Sequence, residues 1–504
     1  MSSGWRDSYI GALICATLVG AVCYSMERRK VLPLPPGPRP MPIIGNIRGI
    51  DINAPWLAYT EWGKQYGDIV YSHLFGQHIV VVNSEKVAIE LLERRSYNYS
   101  DRPELPTNVL LGFGFNTILM QYGARWRRQR RIFHEAFRAR AALSYRPMQQ
   151  RKAQQLIHNM LDNPEEFLNH IRVFSSSVIM SASYDYDTKH DDPLVELIGK
   201  SLELAVQELR PEVAAVFIAF PSLLRLPAWF PGMSIKRKAI QSRERVQEWM
   251  NNPFQHVLKR MAEGTAQSCM VSNALRRIDG KDTSGEMTVI KECAATAFGS
   301  ECQSDTTDSV LQVFILAMVL FPEVQVKAHA LIDAVVGTSR LPTFEDRSSL
   351  RYIDAILRET LRWHPILPLS VSHASVDSDV YEGYYIPKGT KFHVPLSAMS
   401  QNEQKYPNPS QFSPERFLNA DGDLNDDTVD MAFGFGRRIC VGRHFADASI
   451  WIAMSGLLAM FKFSKQIGPD GEAIEFEPQW FSGVATHPLP FPCSITTRLR
   501  KADI

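Results

Sequence analysis

Apolar residues fill positions 9–26 (YIGALICATLVGAVCYSM), eighteen in a row without a charge. As a helix rising 1.5 Å per residue this run covers ~27 Å, the thickness of a bilayer core. Glu27, Arg28, Arg29 and Lys30 follow at once, and the cationic cluster predicts that the rest of the chain stays cytoplasmic. The pattern thus predicts a short lumenal terminus (1–8) and a transmembrane anchor (9–26). A cleaved signal peptide is the other reading, because Ala21-Val22-Cys23 offers small residues at a plausible cleavage site. Residues 27–45 read as a basic, proline-rich hinge: six of the ten positions from Pro33 to Pro42 are proline, which favours extended polyproline geometry over helix.

From residue 46 to 504 the pattern is that of one body. DIVYSHLFGQHIVVVNS (68–84) holds two β-rich runs separated by Gly76-Gln77, a hairpin signal, and Ser84 stands where a cap for the helix EKVAIELLERR belongs. Beyond about residue 120 the chain reads as helical into the 380s. Val289 to Leu320 is the clearest case, some thirty residues with no proline, ~48 Å if continuous. Pro322 restarts a helix that Gly337 ends. A β-rich patch (380–396), an apolar helix (about 443–461) and a β-like tail complete the chain. The expected fold is mainly α with small β-sheets.

Composition changes this picture little. Fifty-five basic residues balance 54 acidic ones, net +1, which disfavours a nucleic-acid binder with a global basic field. The seven cysteines (15, 23, 269, 293, 302, 440, 493) are odd in number and form no Cys-x-x-Cys pair, so neither a disulfide framework nor a zinc ribbon is expected.

One cysteine stands apart. In AFGFGRRICVGRHFA (432–446), Cys440 follows a glycine-punctuated loop at the mouth of an apolar helix. Gly434, Gly436 and Gly442 permit backbone conformations and close approaches that a Cβ would block. The helix N-terminus, with Arg437 and Arg438, favours thiolate over thiol. A lone stabilised thiolate on such a loop suits an axial iron ligand.

The segment fits Phe-x-x-Gly-x-Arg-x-Cys-x-Gly at Phe433, Gly436, Arg438, Cys440 and Gly442, and so resembles the haem-binding loop of the cytochrome P450 family. Upstream, Glu359-Thr360-Leu361-Arg362 resembles the family's Glu-x-x-Arg, whose i,i+3 spacing puts acid and base on one helix face. Pro414-Glu415-Arg416-Phe417 resembles the segment that supplies the third, arginine member of that ion network. The resemblance runs from the proline hinge to the terminal PFPCSI, and the layout is most like microsomal fungal members.

The resemblance implies haem b with its iron on the Cys440 thiolate. It implies that Trp126, Arg130 and Arg438 reach the haem propionates, and it places a propionate-binding basic residue at His373, where a partly exposed strand histidine is the alternative. His134, His364, His393 and His444 read as packing or surface. Oxygen activation needs protons delivered at the distal haem face, and Cys302-Gln303-Ser304-Asp305-Thr306-Thr307 is similar to the family's proton-relay segment, with Asp305 and Thr306 as the relay. Gln303 and Cys302 depart from it, since small residues are usual there, which bears on the shape of the distal pocket. Arg125, Arg127, Arg128, Arg131, Arg437 and Arg443 make a basic patch suited to an acidic flavin domain, and the resemblance implies NADPH–cytochrome P450 reductase as that partner.

The function expected is a monooxygenase of the endoplasmic reticulum membrane. It would hydroxylate or epoxidise a lipophilic small molecule with O₂, and a terpenoid, polyketide or indole intermediate of secondary metabolism is a family analogy only. Substrate contacts are expected from Pro103–Thr117, Phe298–Gln303 and Phe481–Val484. A reductase-independent haem-thiolate isomerase or dehydratase stays open, although Asp305-Thr306 and the basic face argue against it. So does a non-catalytic haem sensor in which Gln303 blocks the distal site.

Overall fold

The structure is a computed structural model describing residues 32–499, apart from 43, 52, 190, 198, 200–216, 218–219, 279–283 and 305. The expected anchor (9–26) and the first part of the hinge lie outside these residues. Among the described residues, no single helix is long and apolar enough to cross a membrane.

Eleven of the longer helices frame the body: α1 (Pro55–Tyr66), α2 (Ala124–Phe137), α3 (Arg146–Asp162), α4 (Phe167–Tyr184), α5 (Ser234–Ala262), α6 (Met270–Arg277), α7 (Ser284–Ser304), α8 (Thr306–Leu320), α9 (Pro322–Val335), α10 (Arg351–Trp363) and α11 (Arg443–Met460). The stretch expected as one helix from Val289 to Leu320 is helical on both sides of position 305, as α7 and α8. Every described residue from Thr307 to Val319 is buried, as is every one from Ala448 to Met460. Helices apolar all round belong in the middle of a large core, and α11 packs there on α3, α8, α9 and α10. A buried amide fixes one of these contacts: Gln149 Nε2 donates to the Phe445 carbonyl at 3.0 Å and to Ser449 Oγ at 2.8 Å.

The strands are β1 (Ile69–Leu74), β2 (Gln77–Val82), β3 (His373–Ala374), β4 (Asp379–Tyr381), β5 (Tyr384–Ile386), β6 (Lys391–His393), β7 (Phe461–Lys465), β8 (Trp480–Phe481), β9 (His487–Pro488) and β10 (Cys493–Thr497). The largest sheet has the order β1-β2-β6-β3, with β6 parallel to β2. Its first hairpin is as expected, but the turn is Phe75-Gly76, both with positive φ (46° and 79°), and Gln77 already belongs to β2. Side chains alternate strictly: Ile69, Val80 and Val82 face the main core, while Val70, Ile79 and Val81 face Tyr59 and Trp62 of α1. Burial on both faces explains why β2 reads as a continuous valine run. Ser84 stands at the N-cap position of the short helix Glu85–Ala88, yet its side chain makes no capping bond. That helix then widens into a π turn, Ile89–Arg94, against which the glycine-rich loop docks. The mainly α body with small sheets agrees with the expectation.

Candidate functional site

The loop ahead of α11 is closed by its own backbone. Cys440 N–H donates to the Phe433 carbonyl at 2.7 Å, and Arg443 Nη1 donates back to the Cys440 carbonyl at 3.3 Å. Phe435 is buried beneath the loop and Phe433 half-buried, while Cys440 is exposed. Two of the three expected glycines are needed for conformation: Gly434 has φ +80° and Gly436 φ +56°, and a Cβ on Gly436 would lie 2.0 Å from the Leu92 carbonyl oxygen. Gly442 differs from the expectation. Its φ is −83°, and a Cβ there would meet only Cys440 Sγ, at an ordinary 3.9 Å.

Around the cysteine the fold gathers guanidinium groups that bond mainly to backbone carbonyls. Arg130, one turn beyond Trp126 on α2, donates to the Ile439 carbonyl at 2.6 Å. Arg438 donates to the carbonyls of Ser100 (2.8 Å), Thr117 (3.2 Å) and Met120 (2.7 Å). Its guanidinium carbon lies 4.4 Å from the centroid of the buried Trp126 ring. Arg102, unsuspected from the sequence, donates to the carbonyls of Ile118, Val371 and Ser372. Among the described residues none of the three forms an ion pair with an acid. The cost shows in their proton affinities. Burial, with Arg438 nearby, pulls Arg102 well below the ordinary guanidinium range, while Asp101 pulls the other way. Burial also lowers Arg438 to about 10, against the pull of Asp101 and helped by Arg130. Burial lowers Arg130 too, offset by Cys440.

His373 joins this group from β3. It is buried, its Nδ1 donates to the Tyr99 carbonyl at 2.7 Å, and burial with Arg102 and Arg438 holds it well below the usual imidazole range. With Nδ1 committed, its Nε2 carries a hydrogen only in the imidazolium form. As donor chemistry, the cluster suits a carboxylate-bearing anionic group, and the exposed thiol beside it suits a thiolate-accepting metal.

The expected ion network forms. Arg362 and Glu359 on α10 are fully buried and joined by two bonds of 2.7 Å, and Arg416 Nε adds a third to Glu359 at 3.2 Å. Arg358, one residue earlier, clamps the carbonyls of Asn425 (2.7 Å) and Asp427 (3.0 Å), on the segment that leads into the cysteine loop.

The arginine face is only partly available to a partner. Arg127, Arg131 and Arg437 are exposed, and Arg127 and Arg437 lie on the Tyr122 ring. Arg125 and Arg128, also exposed, are tied to α7 through Glu292 at 2.7 Å and Glu286 at 3.6 Å. Glu292 also accepts from buried Gln129 (2.8 Å), which accepts in turn from Thr117. These residues link α2, α7 and the loop before α2, and no single stretch of sequence signals them.

On the distal side Thr306 begins α8, half-buried, and Thr307 is buried. Asp305 lies outside the described residues, and so do the side chains of Cys302 and Gln303. Phe298 is fully buried, and Phe113 and Phe115 each lie 5.8 Å from the Trp249 ring. Phe481 and Val484 are exposed at the tip of the β8–β9 hairpin. Of the histidines set aside, His134 is exposed, His393 bonds Ser372 at 3.0 Å, and His364 packs against that hairpin.

Known proteins share this arrangement in sequence. The cytochrome P450 family profile matches residues 35–494. The cytochrome P450 monooxygenase claR of Ampulloclitocybe clavipes is 38% identical over 93% of this chain and 87% of its own length. Cytochrome P450 monooxygenase COX2 of Coprinopsis cinerea is 34% identical over 98% of the chain and 95% of its own. Cytochrome P450 monooxygenase ple1 of Rhodocybe pseudopiperita is 36% identical, over 95% and 92%. With a match that spans most of the chain and includes the cysteine loop, this protein belongs to the cytochrome P450 family and is an enzyme of its monooxygenase class.

Proposed function

We propose that the chain is a membrane-anchored haem-thiolate monooxygenase that hydroxylates or epoxidises a lipophilic small molecule, with O₂ and with electrons from NADPH through a cytochrome P450 reductase. The carrying observation is the convergence of buried Arg102 with half-buried Arg130 and Arg438, which form no ion pair with an acid among the described residues, beside the exposed Cys440. Buried cations held only by carbonyls are costly unless an anion completes them. The family implies haem, and its two propionates suit this cluster.

In this reading Cys440 is the iron ligand, Arg102, Arg130 and Arg438 hold the propionates, and Trp126 supports Arg438. His373 adds a third kind of donor, as imidazolium once a propionate lies beside it. Phe433 supplies the carbonyl that fixes Cys440, and Gly442 leaves the space next to Sγ open. Haem bound there supplies the activation of dioxygen. Asp305 and Thr306 hold and pass protons on the distal side, and the apolar walls near Phe113, Phe115 and Phe298 exclude water. The exposed arginines 127, 131 and 437 form the docking face for the acidic flavin domain of the reductase. Residues 9–26 anchor the protein in the endoplasmic reticulum membrane. The substrate class is that of secondary metabolism, with terpenoid, polyketide or indole intermediates as the compounds to feed.

The test is spectroscopic first and chemical second. The reduced protein with carbon monoxide is expected to show the thiolate-type band, and Cys440→Ser to lose it. NADPH consumption and a product one oxygen heavier are expected only with reductase present. Product formation without reductase would sink the monooxygenase reading in favour of an isomerase or dehydratase.

A further inference from the structure

The turn after α10 carries a ring clamp. His364 follows Trp363 and precedes Pro365, so its backbone leaves the helix in an extended conformation (φ −136°, ψ 92°). The imidazole is thereby turned onto Trp480 of β8, with the rings nearly parallel at 11° and their centroids 3.4 Å apart. Nε2 of the same ring bonds Thr486 Oγ1 at 3.1 Å. Thr486 immediately precedes β9, and its N–H donates to the Ile366 carbonyl at 2.8 Å. One side chain thus grips the hairpin at both of its legs. Within the hairpin, Phe481 and His487 stack across the strands at 4.9 Å.

Between the two legs lies the tip 481–485, with Phe481 and Val484 exposed. β9 packs against α8, whose first residue is Thr306. The tip therefore extends from a hairpin mounted on the distal helix and held by a ring outside it. A two-residue strand pair makes too few ladder bonds to fix its own position. What locates this hairpin is its packing on α8, the Thr486–Ile366 backbone bond and the clamp.

We propose that His364 is a positioning residue that sets the tip 481–485 relative to the distal helix, and so decides how large ligands bind in the distal chamber. The proposal rests on the haem-thiolate reading above, because the chamber it concerns is the one over the haem. His364 touches neither substrate nor haem; it acts through Trp480 and Thr486.

Two iron-binding probes separate this role from simple structural support. Imidazole is too small to need the tip, whereas N-(triphenylmethyl)imidazole fills the chamber with three rings. Each is titrated against the haem-loaded protein by the shift of its absorption band. His364→Ala is expected to leave the imidazole dissociation constant within twofold and to weaken the triphenylmethyl derivative about tenfold. His364→Phe keeps a stacked ring without the hydrogen bond, and should recover most of that loss. Thr486→Val keeps the stacked ring while removing the hydroxyl that bonds His364 and also reaches the Pro365 and Ile366 carbonyls, and it provides the measurement if His364→Ala loses its haem; the expected change is then about threefold, again for the large probe only. Parallel weakening of both probes, or no change in either, would overturn the proposal. Absence of any thiolate-type carbon monoxide band in the unaltered protein would instead overturn the haem reading itself.

Discussion

A methyl group at position 436 and one at position 442 have opposite consequences, although both replace a glycine of the same motif. Gly436→Ala adds a carbon 2.0 Å from the Leu92 carbonyl oxygen at a residue whose φ is +56°. The left-handed conformation alone costs about 1–2 kcal/mol for a residue with a Cβ, and the obstacle is backbone, which cannot rotate away. The loop must lift off the π turn 89–94, carrying Cys440 with it. Gly442→Ala meets no such obstacle, since φ is −83° and the new carbon is 3.9 Å from Cys440 Sγ. The expected result is a Gly436→Ala protein that melts several degrees lower and retains little haem, and a Gly442→Ala protein that unfolds at the parental temperature in its haem-free form. Equal melting temperatures for Gly436→Ala and the parent would contradict this account. The motif glycines were legible in the sequence because spacing marks them. Arg102 was not, because a lone arginine before a proline carries no pattern, and its neighbour Arg438 comes from the far end of the chain.

At the scale of elements, legibility follows the range of the interaction that makes each one. The β1–β2 hairpin and α9 are set by local alternation and by proline and glycine at their ends, and both stand close to where the pattern puts them. Ser84 has the right residue type for a cap and makes no capping bond, since the π turn that follows is decided by packing. The Glu359–Arg362 pair was legible as a spacing, but its burial was not. Both side chains have 0% exposure, and Arg362 spends its remaining hydrogens on the Ser400, Pro409 and Gln411 carbonyls. Glu359→Gln leaves that guanidinium buried with its charge uncompensated, and also weakens the hold on Arg416 and on the Ser413 N–H. Breaking a buried pair on one side costs about 3–5 kcal/mol. The midpoint of urea unfolding, followed by tryptophan fluorescence on haem-free protein, should fall accordingly. A midpoint unchanged from the parent would mean that the network is not a stability element.

For the whole molecule, the net charge of +1 suggests no global field, yet the charged groups of the described residues matter where they are buried. Histidines lowered by burial and one acid shape the response to pH: His373 is held well down, and burial with Arg498 lowers His329 to about 4. Burial pushes His364 down to about 3 and His393 down to about 4, the latter helped by Lys391. Both are therefore neutral in the folded protein at pH 6, while their unfolded counterparts take up protons below about 6.5. The stability they carry is present above 6.5 and declines as pH falls toward 4. Asp308 acts in the opposite sense: burial raises it to about 6, with Gln312 and Arg172 pulling it down, so its share is present below pH 3.8 and is lost as pH rises through 6. Each group contributes at most ~1.4 kcal/mol per pH unit inside its window. Between 6.5 and 6 the lowered histidines act together with little opposition, and below 6 Asp308 cancels the share of one of them. Stability should therefore fall most steeply just below pH 6.5 and more gently from 6 to 4. Urea midpoints at pH 7.0, 6.25, 5.5 and 4.75 measure this directly. Asp308→Asn removes the opposing group, and with it the fall should stay steep all the way to pH 4.75.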